Sequence, residues 1–128
     1  MHGVPLSGTV VAILPCNDLD ASERFYNRLG FARRVEPEEA DYRILSNGIG
    51  GHLHLTRAEN SWLVPGRNPN GLYLYLEDVD DMATSLEDLR LGKRAPEDKP
   101  WGMYEFAISD PDETLVRIGW PTRLRQTS

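Results

Sequence analysis

Residues 14–20 read Leu14-Pro15-Cys16-Asn17-Asp18-Leu19-Asp20, and residues 74–80 read Leu74-Tyr75-Leu76-Glu77-Asp78-Val79-Asp80. The two acidic turns lie 60 positions apart. In both stretches an apolar run comes first, then the acidic turn, and then a segment whose apolar residues have helical spacing. A strand, a turn and a helix that recur in the same order are typical of one structural module used twice.

The first predicted helix covers about residues 20–29. Asp20-Ala21-Ser22-Glu23 has the form of a capping box, in which the Asp and Glu side chains satisfy free backbone N–H groups. Gly30 supplies a left-handed stop. One apolar stripe runs along this helix and consists of Ala21, Phe25 and Leu29. The second copy repeats the stripe with Met82, Leu86 and Leu89, and Gly92 follows shortly after its end.

Short strand-like runs precede and follow each helix. Turn residues separate them at Ser46-Asn47-Gly48 and Asp110-Pro111-Asp112, and Gly48-Ile49-Gly50-Gly51 is typical of a hairpin turn. Each half is therefore predicted to be approximately β-α-β-β-β. The predicted strands are residues 10–14, 31–35, 42–45 and 52–56 in the first half, and 72–76, 104–109 and 114–118 in the second.

The length of 128 residues favours one domain. We expect module one over about residues 8–57, an inter-module loop over about 58–71, and module two over about 72–120. Residues 94–100 are charged and are predicted to form a second loop. The start of the chain, with His2, and the polar tail over 123–128 are predicted to be poorly ordered.

Composition excludes several classes of protein. The 14 basic residues are scattered among 20 acidic ones and the net charge is −6, which does not suit nucleic-acid binding. The apolar runs are too short to span a membrane and no secretion signal is present, so we expect a soluble cytoplasmic protein. Cys16 is the single cysteine, which rules out an intramolecular disulfide and a thiolate metal site. No Ser lies in a G-x-S-x-G elbow, and we expect no catalytic residue.

Several strings resemble a known family. Phe25-Tyr26-x-x-Leu29-Gly30-Phe31, Pro100-Trp101-Gly102-Met103-x-Glu105-Phe106 and Asp110-Pro111-Asp112 are similar to strings of the glyoxalase/bleomycin resistance family, in the vicinal oxygen chelate superfamily. With the related strings around them they cover residues 9–119. The resemblance implies an α+β fold of curved mixed sheets, a homodimer, and grooves that bind bleomycin-like glycopeptides.

The superfamily's enzymes hold a divalent metal on His, Glu or Gln from four strands. Alignment by the acidic turns and by Asp-Pro-Asp places Val11, His54, Gly71 and Arg117 at those positions. Only His54 is a metal donor, and an arginine does not suit a divalent site. His52 lies two residues away on the same strand face, and a pair without a third donor is more often structural. We therefore expect neither a metal nor another cofactor.

Six residues are candidates for contact with a ligand. Trp101 is the first candidate for stacking, although a loop tryptophan folded onto the sheet is an equal alternative. Trp62 in the inter-module loop is the second, and core packing is the stronger alternative for Phe31. Glu105 is expected to face a cationic group, on the strand face opposite Tyr104 and Phe106. His54 and Arg117 are expected to be structural or polar contacts.

Three functions remain open. The first is a metal-free binding protein that sequesters a bleomycin-like or other aromatic small molecule at a dimer interface. The second is a metal-dependent enzyme of the superfamily, such as a dioxygenase, isomerase or thiol transferase, with an atypical site. The third is an orphan domain kept for an unknown ligand or partner, since one fold hosts many unrelated functions. Four acidic residues in the two turns are expected to cap helices rather than to catalyse: Asp18, Asp20, Asp78 and Asp80.

Overall fold

The computed structural model describes residues 6–34 and 40–125. The chain divides into two compact units, Met1–Asn68 and Pro69–Ser128. The division lies inside the predicted inter-module loop. His2, Val35 and the last three residues, about which the sequence made predictions, lie outside the described residues.

The first unit contains a four-stranded mixed sheet and one helix. Its elements in chain order are β1 (Ala12–Cys16), α1 (Leu19–Asn27), β2 (Ala32–Arg33), β3 (Tyr42–Ser46) and β4 (His52–Arg57). The strand order is β1-β4-β3-β2, with β1 and β4 parallel and the other pairs antiparallel. Helix α1 packs on β4 and β2. Apolar side chains from one sheet face are buried with those of the helix: Leu14, Cys16, Leu45, Leu53 and Leu55 with Leu19, Phe25 and Tyr26.

The start of α1 differs from the predicted capping box. The N-cap is Asp18, whose carboxylate accepts a hydrogen bond from the Ala21 backbone N–H at 3.1 Å. Glu23 is buried instead and accepts hydrogen bonds from Arg33 and Arg43, at 2.7 Å and 2.5 Å. The prediction from the four-letter pattern was wrong because Glu23 has two arginines within reach on neighbouring strands, which provide charge-assisted hydrogen bonds. The stop at Gly30 is confirmed by its φ of +94°.

The second unit repeats this architecture. It contains β5 (Gly71–Tyr75), α2 (Val79–Ser85), β6 (Glu97–Asp98), β7 (Met103–Ser109) and β8 (Leu115–Pro121), with short 3₁₀ helices at Leu91–Lys93 and Thr122–Leu124. The strand order is β5-β8-β7-β6, with β5 and β8 parallel and the remaining pairs antiparallel. Each unit is thus β-α-β-β-β, which confirms the predicted α+β class with mixed sheets.

Two predictions for this unit need correction. The segment 94–100 is not entirely a loop, because Glu97 and Asp98 pair with β7 as an edge strand. The missed strand is only two residues long and both residues are charged, so it carries no apolar alternation. The predicted helical stripe of Met82, Leu86 and Leu89 is helical only in its first part, because helix α2 ends at Ser85 and Leu86 is buried just beyond its end.

Within the part of the chain that the structure describes, no helix is long and apolar enough to cross a bilayer.

Candidate functional site

The sheet of the second unit has two different faces. Helix α2 packs on one face of β7 and β8. The apolar side chains on this face are buried: Phe106, Ile108, Val116 and Ile118. Residues that are paired across neighbouring strands point to the same face of a sheet. The register therefore places two rows of paired residues from β5, β8 and β7 on the opposite, open face. The first row is Tyr73, Arg117 and Ala107, and the second is Tyr75, Gly119 and Glu105.

Glu105 is the centre of a polar cluster on this open face. It is only 3% exposed. Its Oε1 accepts hydrogen bonds from the Tyr73 hydroxyl and from Trp101 Nε1, both at 2.9 Å. Its Oε2 lies 3.7 Å from a terminal nitrogen of the Arg117 guanidinium. A buried carboxylate needs such donors because unpaired burial of a charge is costly.

The environment of Tyr73 affects its acidity. Burial, followed by the hydrogen bond to Glu105, raises the pKa of the Tyr73 hydroxyl above its ordinary value of 10. The phenol therefore remains a hydrogen-bond donor over the whole neutral range. Tyr73 was not among the candidates from the sequence. Its role depends on the register that brings β5 beside β8, and no local motif marks that register.

Trp101 stands at the tip of the β6–β7 hairpin. Gly102 follows it with a φ of +89°, and the Lys99 N–H closes the turn on the Met103 carbonyl. The indole N–H is held by Glu105 while the side chain remains 57% exposed. The Arg117 guanidinium carbon lies 5.6 Å from the indole ring centroid, within the range of a cation–π contact. The ring is thus oriented by the protein and accessible to a ligand.

A cavity of about 160 Å³ lies beside this indole. Its wall is formed by residues of the hairpin, of β7 and β8 and of the 3₁₀ segment: Leu91, Arg94, Ala95, Glu97, Lys99, Trp101, Glu105, Phe106, Ala107 and Arg117. Three of the six candidate residues, Trp101, Glu105 and Arg117, are therefore brought together here. Glu105 was expected to face a ligand cation; in the structure its Oε1 accepts two hydrogen bonds from the protein itself.

The open face of the first sheet carries His54. Ile13 and Ile44 flank it in the strand register and are 58% and 40% exposed. The Tyr42 hydroxyl and His54 Nδ1 form a hydrogen bond of 2.6 Å. His52 lies on the same face two residues earlier, as expected from strand alternation.

The remaining two candidates belong to the first unit as well. Trp62 lies in the loop before β5 and is 58% exposed. Phe31 is 5% exposed and lies in the core, so its ring presents little surface to a ligand.

The family model described as the Glyoxalase/Bleomycin resistance protein/Dioxygenase superfamily matches residues 8–118. The chain belongs to this superfamily. A bleomycin resistance protein from Klebsiella pneumoniae is 29% identical over 113 residues, covering 82% of this chain and 86% of that protein.

Solved structures of the superfamily agree with the fold. A bleomycin-binding protein complexed with bleomycin has a TM-score of 0.71 and 25% identity, covering 89% of this chain and 98% of its own. A bleomycin resistance determinant encoded on the transposon Tn5 has a TM-score of 0.72 and 26% identity, covering 90% and 98%. These values establish the glyoxalase fold for this chain.

Of the four residues at the positions of the superfamily's metal ligands, His54 alone is a metal donor. His54 has aliphatic neighbours on both sides, and Arg117 lies between Tyr73 and Ala107. Val11, at the first ligand position, lies immediately before β1. The residue of β1 that pairs with His54 is Ile13. Among residues 6–34 and 40–125, no group of three or more His, Cys, Asp or Glu side chains could hold a metal ion. A permanent cation at the fourth position does not fit the metal chemistry of the superfamily's enzymes.

The acidic turns of the superfamily fold have several roles here. Of the four acidic residues predicted to cap helices, Asp18 alone does so through its side chain. The prediction was wrong for the other three, because Asp78 is an N-cap residue without such a bond and Asp20 and Asp80 lie in the first turns of the helices. Asp20 pairs with Arg43, and Asp80 accepts a hydrogen bond from Tyr104 at 2.5 Å. A local sequence pattern could not predict these partners, because they lie on other elements of the fold.

A cavity of about 330 Å³ lies at the start of α2, lined by Glu77, Asp78, Val79, Asp80, Asp81, Tyr104, Trp120 and Arg125.

Proposed function

We propose that this protein binds and sequesters a bleomycin-like glycopeptide, or a related aromatic small molecule, without transforming it. The observation that carries the proposal is the exposed indole of Trp101, held by Glu105 beside a cavity on the open face of the second sheet. A flat aromatic group of a ligand gains from stacking on such a ring and from burial of apolar area. The named relatives, a bleomycin resistance protein and a bleomycin-binding protein, support the choice of ligand class.

The residues of the proposed site have different roles. Trp101 provides the stacking surface, and Glu105 and Tyr73 position it. Arg117 provides a polar contact to the ligand. Trp62 is the second stacking candidate because it is an exposed aromatic in a loop, whereas the burial of Phe31 supports a role in core packing. His54 is engaged by Tyr42, which supports a structural or polar role.

A second copy of the chain is part of the proposal. Ile13 and Ile44 expose apolar surface on the open face of the first sheet, and apolar patches of this kind are typical of interfaces. We propose that a homodimer covers this face and completes the grooves, that the two units form one domain, and that the protein is cytoplasmic. Sedimentation equilibrium at micromolar concentration is expected to give a dimer. A monomer at every concentration would contradict the shared grooves.

The proposed activity is tested by calorimetric titration with metal-free bleomycin, followed by mass spectrometry of the recovered ligand. We expect binding at micromolar concentration or below and recovery of unmodified bleomycin. Protein purified without a histidine tag is analysed for metals in parallel. A stoichiometric divalent ion together with a modified ligand would establish the enzyme alternative instead.

A further inference from the structure

The cavity beside Trp101 has more positive than negative side chains, although the whole chain has a net charge of −6. Its charged lining residues are three cations and two carboxylates: Arg94, Lys99 and Arg117 against Glu97 and Glu105. The excess of one positive charge in an acidic protein distinguishes this cavity from the cavity at the start of α2.

Both carboxylates of the cavity are already engaged. Glu97 Oε1 lies 3.1 Å from a terminal nitrogen of Arg94 and 2.5 Å from Lys99 Nζ. Glu105 Oε1 accepts hydrogen bonds from Tyr73 and Trp101. Each carboxylate is therefore already balanced in part by donors or cations of the protein itself.

Arg117 lines the cavity and has unused donor capacity. Its distance of 3.7 Å to Glu105 Oε2 is longer than a hydrogen bond, so this contact is an ion pair only. Its side chain is 41% exposed. A guanidinium has five N–H donors in a planar fork, which suits the two oxygens of a carboxylate. The Arg117 guanidinium also lies over the Trp101 ring. A ligand ring that stacks on Trp101 could therefore place an oxygen substituent on Arg117 at the same time.

We infer that this cavity takes a planar aromatic ring bearing a carboxylate or another oxygen acceptor, with the ring against Trp101 and the oxygen on Arg117. A volume of about 160 Å³ is enough for one six-membered ring, since a cavity of about 150 Å³ binds benzene. The inference rests on the proposed function, because the cavity is the same one. It adds that the acceptor-bearing end of the ligand enters here and that a cationic tail lies elsewhere.

Three probes of the same size and different charge test this inference: 4-nitrobenzoate, 4-nitrobenzamide and protonated 4-nitrobenzylamine. Their affinities are measured at low ionic strength by NMR, with the indole N–H signal of Trp101 reporting the place of binding. We expect the benzoate to bind about tenfold tighter than the amine, with the amide between them, because charge-assisted hydrogen bonds are the stronger ones. Equal affinities, or tighter binding of the amine, would overturn the inference.

Arg117→Gln is the decisive variant and Arg57→Gln is its control. Arg57 is an exposed arginine of the first unit that pairs with Asp41 at 2.8 Å. In Arg117→Gln the preference for the benzoate is expected to disappear, while Arg57→Gln retains it. Glu105 keeps its Tyr73 and Trp101 donors in the variant, and a preserved NMR spectrum outside the cavity verifies that it folds. A preference that survives Arg117→Gln would contradict the role of Arg117.

Bleomycin titration of the same samples separates this inference from the proposed function. Bleomycin binding without discrimination among the probes would refute the inference alone. Discrimination among the probes without bleomycin binding would refute the bleomycin-like ligand and leave the cavity's preference established.

Discussion

The Tyr73 hydroxyl donates a hydrogen bond of 2.9 Å to Glu105 Oε1, across the backbone of Gly119. An ideal Cβ at Gly119 would lie 2.2 Å from the Tyr73 hydroxyl oxygen and 2.8 Å from Glu105 Cβ. A glycine is therefore needed at the centre of the open face, where the two side chains meet above the strand.

Gly119→Ala is expected to lower the free energy of unfolding by about 1–3 kcal/mol, the usual cost of overpacking. The methyl group has backbone as well as side chain against it, including the Tyr104 carbonyl oxygen at 2.8 Å. Urea unfolding measures the change. Gly71→Ala is the matched control, since the nearest atom to its Cβ lies 3.6 Å away. Similar losses in the two variants would show that the crowding at Gly119 is unimportant.

The decrease in the free energy of unfolding at alkaline pH is expected to depend on Tyr73. Because burial and Glu105 raise the pKa of Tyr73, its protonated form is favoured in the folded protein. The contribution to stability is complete below pH 10 and decreases as the pH rises toward the folded-state pKa. Unfolding by urea at pH 9 and pH 11 should show this decrease in the wild type and a smaller one in Tyr73→Phe. A slope in Tyr73→Phe identical to that of the wild type would contradict the assignment.

Glu23→Ala is expected to destabilise the first unit by roughly 2 kcal/mol, between the values typical of exposed and buried pairs. The side chains of Glu23 and Arg43 are 12% and 14% exposed, and Arg33 also loses its contact with Glu23. Thermal and urea unfolding measure the loss. Asp41→Ala breaks the exposed pair with Arg57 and should have no measurable effect. Equal effects of the two substitutions would show that Glu23 behaves as an ordinary surface acid.

Much of the fold was predictable because both helices and most strands carry a local signal. The 60-residue repeat places β1 and β5, the helices and their turns in the same order, and the antiparallel hairpins at Asn47 and Asp110 have the expected turn residues. Strand β6 was missed because an edge strand of two charged residues has no apolar alternation.

The candidate site was predictable only in part. Trp101, Glu105 and Arg117 were found through the string resemblance, and the structure brings them to one cavity. The engagement of Glu105 by Tyr73 could not be derived, because it depends on contact between strands distant in the sequence. The same reason applies to Glu23, whose arginine partners come from β2 and β3.

The positioning role of Glu105 predicts a change in ligand affinity without loss of the stacking ring. In Glu105→Gln one amide oxygen replaces the carboxylate that Tyr73 and Trp101 share, so the indole is held less firmly. Affinity for bleomycin is expected to fall several-fold, and the rotational mobility of the Trp101 side chain, measured by NMR relaxation of its indole N–H, should increase. A fall in affinity with unchanged mobility would assign Glu105 a role other than positioning.

The most direct test of the central claim is the affinity of Trp101→Ala for bleomycin, measured by calorimetry beside wild type and Trp62→Ala. Stacking of an aromatic group on Trp101 predicts a loss of about tenfold or more in Trp101→Ala, since such contacts contribute on the order of 1 kcal/mol beyond the burial of area. Trp62→Ala should lose less. Unchanged affinity in Trp101→Ala, with the variant folded, would contradict the claim that this indole forms the binding surface.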